Sequence, residues 1–495
     1  MAPVLKTTIV YAILGGSMAA GLLQNTSSFL YAVLVFGYSM LMMTLAALFE
    51  ISNSPEDGEL LSFRPVSTAT VLTARTANLL FYTLLMGLAL CFIPAWTALA
   101  LPHTGWSYPA AFLLGSFLSN LFATLLVAGL HPLLEGWLSS ERFKDMLLYV
   151  QIGATFLVFF LLQLFSRATV LPPYPDAAAA PGWFRLLPPV WFASGLSLLY
   201  GADRSTDPSL FLFGLLSTLA VGLIAFRSRA HRYERFAESR SVSALSRRRI
   251  GTTCKAFRFW PWLKHPEARA GFSLVSSLLQ RDRSVKATVY PLLGIPFAFM
   301  AIQFIEKGIQ DPYASEAYGF ATAVVLLVFT MACTLMLSLL YSKDWESSWI
   351  FHVSPIRSPG KLYSGMKVCL FVKILFPFFV LFAAAYSIQI PFVHAIRYAL
   401  SLLIFGLTAM ALASFFIRDY PFSRKMERGM RMKSFSWVLL AFLLLMVFLW
   451  SHRTFRLNLI LWSVFHASLF VLCLFLENVS EKRINSVLCK KESRV

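Results

Sequence analysis

The stretch Ala321-Thr-Ala-Val-Val-Leu-Leu-Val-Phe-Thr-Met-Ala-Cys-Thr-Leu-Met-Leu-Ser-Leu-Leu340 contains no charged residue. About 20 mainly apolar residues is the length a helix needs to cross the hydrocarbon core of a bilayer. Phe29–Phe49, Leu147–Phe165 and Phe435–Trp450 are runs of the same kind. They account for a chain of 495 residues that is 58% hydrophobic and 15% aromatic, with a mean hydropathy of +0.67. A soluble domain carries roughly 45–50% apolar residues, so these runs exceed what a globular core would hold. In lipid each backbone amide must find its partner within its own segment, which selects helices. The alternation over about 10 positions that marks a membrane β-barrel is absent. The expected fold class is an all-α polytopic membrane protein.

Twelve spans are predicted, in two halves of six. The first half holds Ile9–Leu23, Phe29–Phe49, Asn78–Leu101, Pro109–His131, Met146–Phe165 and Pro208–Phe226. The second holds Val289–Ile305, Tyr318–Tyr341, Val368–Ile388, Ile396–Ile417, Phe435–Trp450 and Leu457–Leu476. Ile9–Leu23 reads as a first span rather than a signal peptide, because a full span follows at once and no A-x-A-like cleavage site stands out. The domain plan is 1–226 for the first half, 227–286 for a basic linker, 287–476 for the second half and 477–495 for a tail.

Charge orients this plan. The net charge is +19, a value that would suit nucleic acid if it lay on one soluble face. Instead, 227–286 carries fifteen Lys and Arg against four acids, and Arg418–Lys433 and the tail are also basic. Linkers that alternate to the other side, such as Glu306–Glu316, Leu101–Tyr108 and Leu171–Asp207, are neutral or acidic. Basic loops stay cytoplasmic, so both termini are expected in the cytoplasm, with the bilayer's anionic lipid as partner and no nucleic acid. Six scattered cysteines without a C-x-x-C pair argue against a thiolate metal site or a disulfide framework.

Two further stretches have their own pattern. Leu171–Asp207 combines Pro172-Pro173-Tyr174-Pro175 with Trp183-Phe184 and Pro188-Pro189-Val190-Trp191-Phe192, which suits an element lying at the outer interface. In Glu267–Arg283, Phe272, Val275, Leu278 and Leu279 recur at helical spacing among Arg269, Arg281, Asp282 and Arg283. That predicts a helix in the inner interface.

An internal repeat is more informative. After the second span come Glu56, Glu59, Leu60, Leu61, Phe63, Pro65, Val66 and Ser67; after the eighth come Glu346, Trp349, Ile350, Phe351, Pro355, Ile356 and Ser358. In both copies a glutamate precedes a Pro-Val or Pro-Ile by nine residues, between the second and third spans of a half. Each copy reads as a short amphipathic helix ended by proline, with acids near its start to meet the positive end of the helix dipole. At a cytoplasmic mouth such a helix has the form of a knob for a partner's groove.

At these residues the chain resembles an ABC-2 type exporter permease, the membrane subunit of an ATP-binding-cassette transporter. The resemblance implies a coupling helix in each half that contacts a separate nucleotide-binding ATPase subunit. It assigns Glu56, Glu59, Leu60, Leu61, Pro65 and Ser67 to the first, and Glu346, Trp349, Pro355 and Ser358 to the second. Pro188–Phe192 and an elbow-like helix at 267–283 are similar to the family as well, whereas the first half begins too close to Met1 for an elbow of its own. Family membership would place the chain in a bacterial inner membrane, either as two fused halves or as a homodimer. The nearest string to a phosphate-cradling G-x-x-x-x-G-K-[ST], at Ser354–Leu362, lacks the first glycine and the final hydroxyl. Hence no cofactor is expected on this chain, with ATP and Mg on the partner, and the chain itself is not expected to be an enzyme.

Two other classes compete. A secondary transporter commonly buries ionisable residues near mid-membrane, and the expected span interiors look nearly free of charge, with Asn120, Gln151, Gln163, Gln303 and His466 as polar exceptions. The Gly294-Ile295-Pro296 break of the seventh span has no counterpart in the first. A membrane enzyme on lipid-linked substrates would cluster acids or histidines at one face. His103, Asp176, Asp203, Asp207, Glu306, Asp311, Glu316 and His394 share no such spacing.

Overall fold

The computed structural model describes residues 2–23, 26–52, 68–101, 104–137, 140–166, 182–200, 208–238, 264–281, 283–306, 311, 313, 318–342, 345–354, 356–417, 419–425 and 458–492, with isolated positions between 425 and 458. It divides into two compact units, Met1–Arg247 and Arg248–Val495.

The first unit contains α1 (Ala2–Leu22), α2 (Ser28–Ser52), α3 (Thr68–Thr97), α4 (Tyr108–Trp137), α5 (Ser140–Ser166), α6 (Pro188–Tyr200) and α7 (Pro208–Glu238). Helices α2 and α4 lie at its centre, and α3, α6 and α7 pack around them. The core is aromatic: Phe112 of α4 lies 4.8 Å from Phe36 and 6.0 Å from Tyr31, both of α2, measured between ring centroids. Tyr31 donates its hydroxyl hydrogen to the Pro94 carbonyl at 3.0 Å, one of the last four carbonyls of α3, which an α-helix leaves without an intrahelical amide. The short helix α6 carries the Pro188–Phe192 part of the stretch expected at the outer interface. It is packed between α2, α4 and α7 with Phe192, Ala193 and Ser194 buried, and Trp191 lies edge-on to Phe122 and Phe213.

The second unit contains α8 (Pro266–Arg281), α9 (Arg283–Glu306), α10 (Tyr318–Ser338), α11 (Trp349–Val353), α12 (Pro359–Leu370), α13 (Phe376–Tyr386), α14 (Phe392–Ser414) and α15 (Leu459–Glu492). A π-helical turn at Phe371–Leu375 joins α12 to α13 without a break, so one rod runs from Pro359 to Tyr386. Helix α9 runs unbroken through Gly294-Ile295-Pro296. Two two-residue strands, β1 (Tyr341–Ser342) and β2 (Arg424–Lys425), pair in parallel.

Eight helices among the described residues are long and apolar enough to cross a membrane, and Thr7–Leu22 and Leu327–Ser338 are shorter apolar helices. The protein is a multi-pass, all-α membrane protein. The eight long helices fall on eight of the expected spans. Ile9–Leu23, Tyr318–Tyr341 and Val289–Ile305 fall on α1, α10 and α9. The expected span Phe435–Trp450 lies outside the described residues apart from isolated positions. Several ends extend further than hydropathy indicated: α3 begins ten residues before Asn78, α7 runs twelve residues past Phe226 into the expected linker, the rod begins nine residues before Val368, and α15 continues through the expected tail to Glu492.

The amphipathic helix α8 buries its apolar face against protein rather than lipid. Ala268, Phe272, Val275 and Leu279 are buried, and the partner is α12. Here the two backbones nearly touch. A Cβ on Gly365 would stand 1.8 Å from the Ala268 carbonyl oxygen, and one on Gly271 would stand 2.2 Å from that of Leu362. Small residues permit such crossings in membrane bundles, where van der Waals contact replaces the hydrophobic drive. Lys373 adds a hydrogen bond from its Nζ to Ser276 Oγ at 2.7 Å. Gly365→Val should therefore force α8 and α12 apart and lower stability by about 3 kcal/mol or more, at the upper end of overpacking costs. Gly153→Ala, in open space, should change it by no more than about 1 kcal/mol. Thermal unfolding of the two purified variants in detergent compares them directly.

Candidate functional site

The repeated loop of the second unit is the best-defined candidate. The chain leaves α10, pairs as β1, makes a tight turn over Trp345–Ser348 and forms α11, which ends when Ser354 turns extended with φ −75° and ψ 138°. The residue before a proline is driven out of the helical region by the ring that follows, so Pro355 in the sequence sets this stop. Pro359 then starts α12 at a position where its missing N–H costs nothing.

This short helix is amphipathic in a useful sense. Phe351 turns inward and stacks on the buried Tyr420, with ring planes 1° apart and centroids 5.9 Å apart. Ile356 packs against the same core, while His352 meets the Tyr420 ring edge-on at 5.0 Å. Trp349, Ile350 and Val353 point outward, at 62%, 52% and 73% exposure.

The segment 419–425 is the seat beneath it. The Phe422 N–H donates to the Leu339 carbonyl at 2.8 Å, and Arg424 N–H to that of Leu340 at 3.0 Å. Asp419 accepts from the Arg424 guanidinium, and its carbonyl accepts from the Tyr363 hydroxyl at 2.9 Å. Phe422 adopts φ 56°, a left-handed conformation that is costly for a bulky residue and persists only where the surroundings dictate it.

Helix α12 is held in turn by α15. Lys361 pairs with Glu481 and Lys367 with Glu477, each at 2.9 Å. The Gly360 N–H donates to Asn485 Oδ1 at 2.7 Å. An α-helix rises 1.5 Å per residue, so the 34 residues of α15 span about 50 Å, well beyond a hydrocarbon core of about 30 Å. Its polar half lies beside α12 and braces the start of that helix.

Of the residues singled out from the sequence, Glu346 is exposed in the turn, Trp349 is exposed at the start of α11, and Ser358 is half-buried at the cap of α12 without a side-chain capping bond. Pro355 lies outside the described residues, as do Glu56, Glu59, Leu60, Leu61, Pro65 and Ser67.

The opposite end of the second unit carries a cluster that spacing alone did not reveal. Arg397 is buried in α14, and its guanidinium carbon lies 4.5 Å from the Tyr313 ring centroid and 4.9 Å from that of Trp462. Trp462 stacks on His466 at 4.3 Å. Asp311 accepts from the Tyr313 N–H at 2.9 Å and meets His394 Nδ1 at 2.7 Å. The span interiors are therefore less free of charge than expected: Lys367, Lys373 and Arg397 all lie within the long apolar helices, and the first and last are buried. Arg397 escapes a hydropathy reading because its neighbours are apolar, and the aromatic partners come from distant segments. Each desolvated cation–π contact of this kind is worth about 2 kcal/mol.

No family model, curated protein or solved structure matches the chain.

The brace gives a direct test. Lys367 is 8% exposed and Glu477 32% exposed at the side chain, so Glu477→Gln leaves a buried ammonium with a weakened partner. We expect a loss of about 1–3 kcal/mol, below the full cost of breaking a wholly buried pair because water reaches the acid. Glu481→Gln, whose partner Lys361 is 33% exposed, should cost under about 1 kcal/mol. A double-mutant cycle with Lys367→Met, read by thermal unfolding, separates the pair energy from packing.

Proposed function

We infer that the chain is the membrane permease subunit of an ATP-driven exporter of the ABC-2 type, and that Trp345–Val353 is where a separate nucleotide-binding ATPase subunit docks. The observation that carries this reading is a helix fixed from beneath by Phe351 on Tyr420, with two large apolar side chains and a valine turned outward. A rigid apolar anchor on a short helix is what a groove-bearing partner engages. The basic linker and tail support a cytoplasmic position for this end of the unit, the side on which the ATPase with its ATP and Mg would reside. The bilayer is then a bacterial inner membrane. Glu56, Glu59, Leu60, Leu61, Pro65 and Ser67 form the matching knob of the first half, and the pathway is built by both halves of one chain or by a homodimer.

Arg397 supports a second reading, a secondary transporter, because a buried cation in a membrane helix is by default a functional residue. It stands five residues from the start of α14, towards the helix end rather than at mid-span, and aromatic rings already neutralise much of its cost. The exporter reading therefore takes precedence.

Trp349→Asp together with Ile350→Asp, or Glu56→Ala together with Glu346→Ala, should leave membrane insertion intact. Coupled ATPase activity in proteoliposomes with the nucleotide-binding subunit encoded beside it should fall by about tenfold or more, the size of one lost interface anchor. Normal co-purification and normal activity of a variant altered in both loops would sink the exporter reading. The absence of any adjacent ATPase gene would move weight to the secondary transporter.

A further inference from the structure

Two helices of the first unit face each other with small or polar residues at one-turn intervals: Thr83, Gly87 and Cys91 on α3, and Ser116, Asn120 and Thr124 on α4. All six are buried. On α2, Ser39 and Met43 continue the seam: the Cys91 thiol lies within reach of the Ser39 and Ser116 hydroxyls, and Met43 borders Gly87. The hydroxyls are satisfied locally. Thr83 donates to the Leu79 carbonyl at 2.7 Å, Ser116 to that of Leu113 at 2.9 Å, and Thr124 to that of Asn120 at 2.8 Å.

The side chain at the middle of the seam is different. Asn120 is fully enclosed, and neither its Oδ1 nor its Nδ2 has a hydrogen-bond partner. Its amide occupies the space that a side chain on α3 would fill, since a Cβ on Gly87 would stand 2.5 Å from Nδ2. An asparagine amide offers two donors and an acceptor oxygen, and leaving them unanswered inside a membrane bundle is costly. Every buried polar residue among the described residues of this unit is uncharged, so these side chains offer no counter-charge to an ion. A hydroxyl, which both donates and accepts, matches the amide on both of its atoms.

We propose that Asn120 anchors a buried site for one uncharged hydroxyl group, supplied by water or by a glycerol-type lipid, in the seam between α2, α3 and α4. The site stands on these residues alone and is independent of the exporter reading.

Radiolytic hydroxyl-radical labelling tests it on the full-length protein, delipidated in lauryldimethylamine oxide, a detergent without hydroxyl groups. Met43 and Met18 are both fully buried, but only Met43 lies in the seam. Met43 is expected to oxidise several-fold faster than Met18, and Asn120→Leu to bring it down to the Met18 rate. Excess monoolein then separates the sources: protection of Met43 assigns the hydroxyl to lipid, and unchanged labelling assigns it to water. Equal rates for Met43 and Met18 in the unaltered protein overturn the proposal, and that comparison requires no variant to fold. Undiminished Met43 labelling in folded Asn120→Leu overturns it as well.

Discussion

Inside hydrocarbon an amide has no water to bond, and every other property of this chain is arranged around that fact. Helices satisfy their own backbones, and the long apolar helices follow. Once the backbones are satisfied, apolar side chains gain little by leaving lipid for protein, so helix association must come from close fit and from polar contacts. The second unit uses both. Gly271 and Gly365 bring α8 and α12 into backbone contact, while Lys373 with Ser276 and the Lys–Glu pairs of α12 and α15 supply the polar part. The first unit relies more on aromatic packing around Phe112 and on a neutral seam of hydroxyls.

The same constraint explains which features were legible beforehand. Runs such as Phe29–Phe49 and Ala321–Leu340 are decided by composition over a fixed length, and helices stand there. Helix ends were less legible, because α3 and α15 continue into polar sequence whose helicity depends on neighbours: the polar half of α15 is held by α12. The packing of Pro188–Phe192 was also illegible, for a related reason. Tryptophan and proline do not show which helices cover them, and here α2, α4 and α7 pack on the helix that carries Pro188–Phe192.

For the candidate site, the sequence shows the spacing from glutamate to proline and the apolar face between them. It does not show which apolar residues are used inward. Phe351 and Trp349 look equivalent along the chain; only the position of Tyr420, about seventy residues on, separates anchor from exposed surface. Arg397 is the reverse case. A single cation in an apolar run reads as an imperfection until Tyr313 and Trp462 are seen to enclose it. His394 and Asp311 likewise look like unrelated loop residues until the fold joins them.

Helix α15 touches two separate places in the second unit. Trp462 near its start touches the Arg397 cluster, and Glu481 near its far end holds α12 beside the exposed helix. Nineteen residues of uninterrupted helix make a strut of about 28 Å. A strut without a joint resists shortening, so a displacement imposed at one tip must appear at the other as a tilt or a rotation. One continuous helix thus links the contacts of α12 to the rings that grip Arg397.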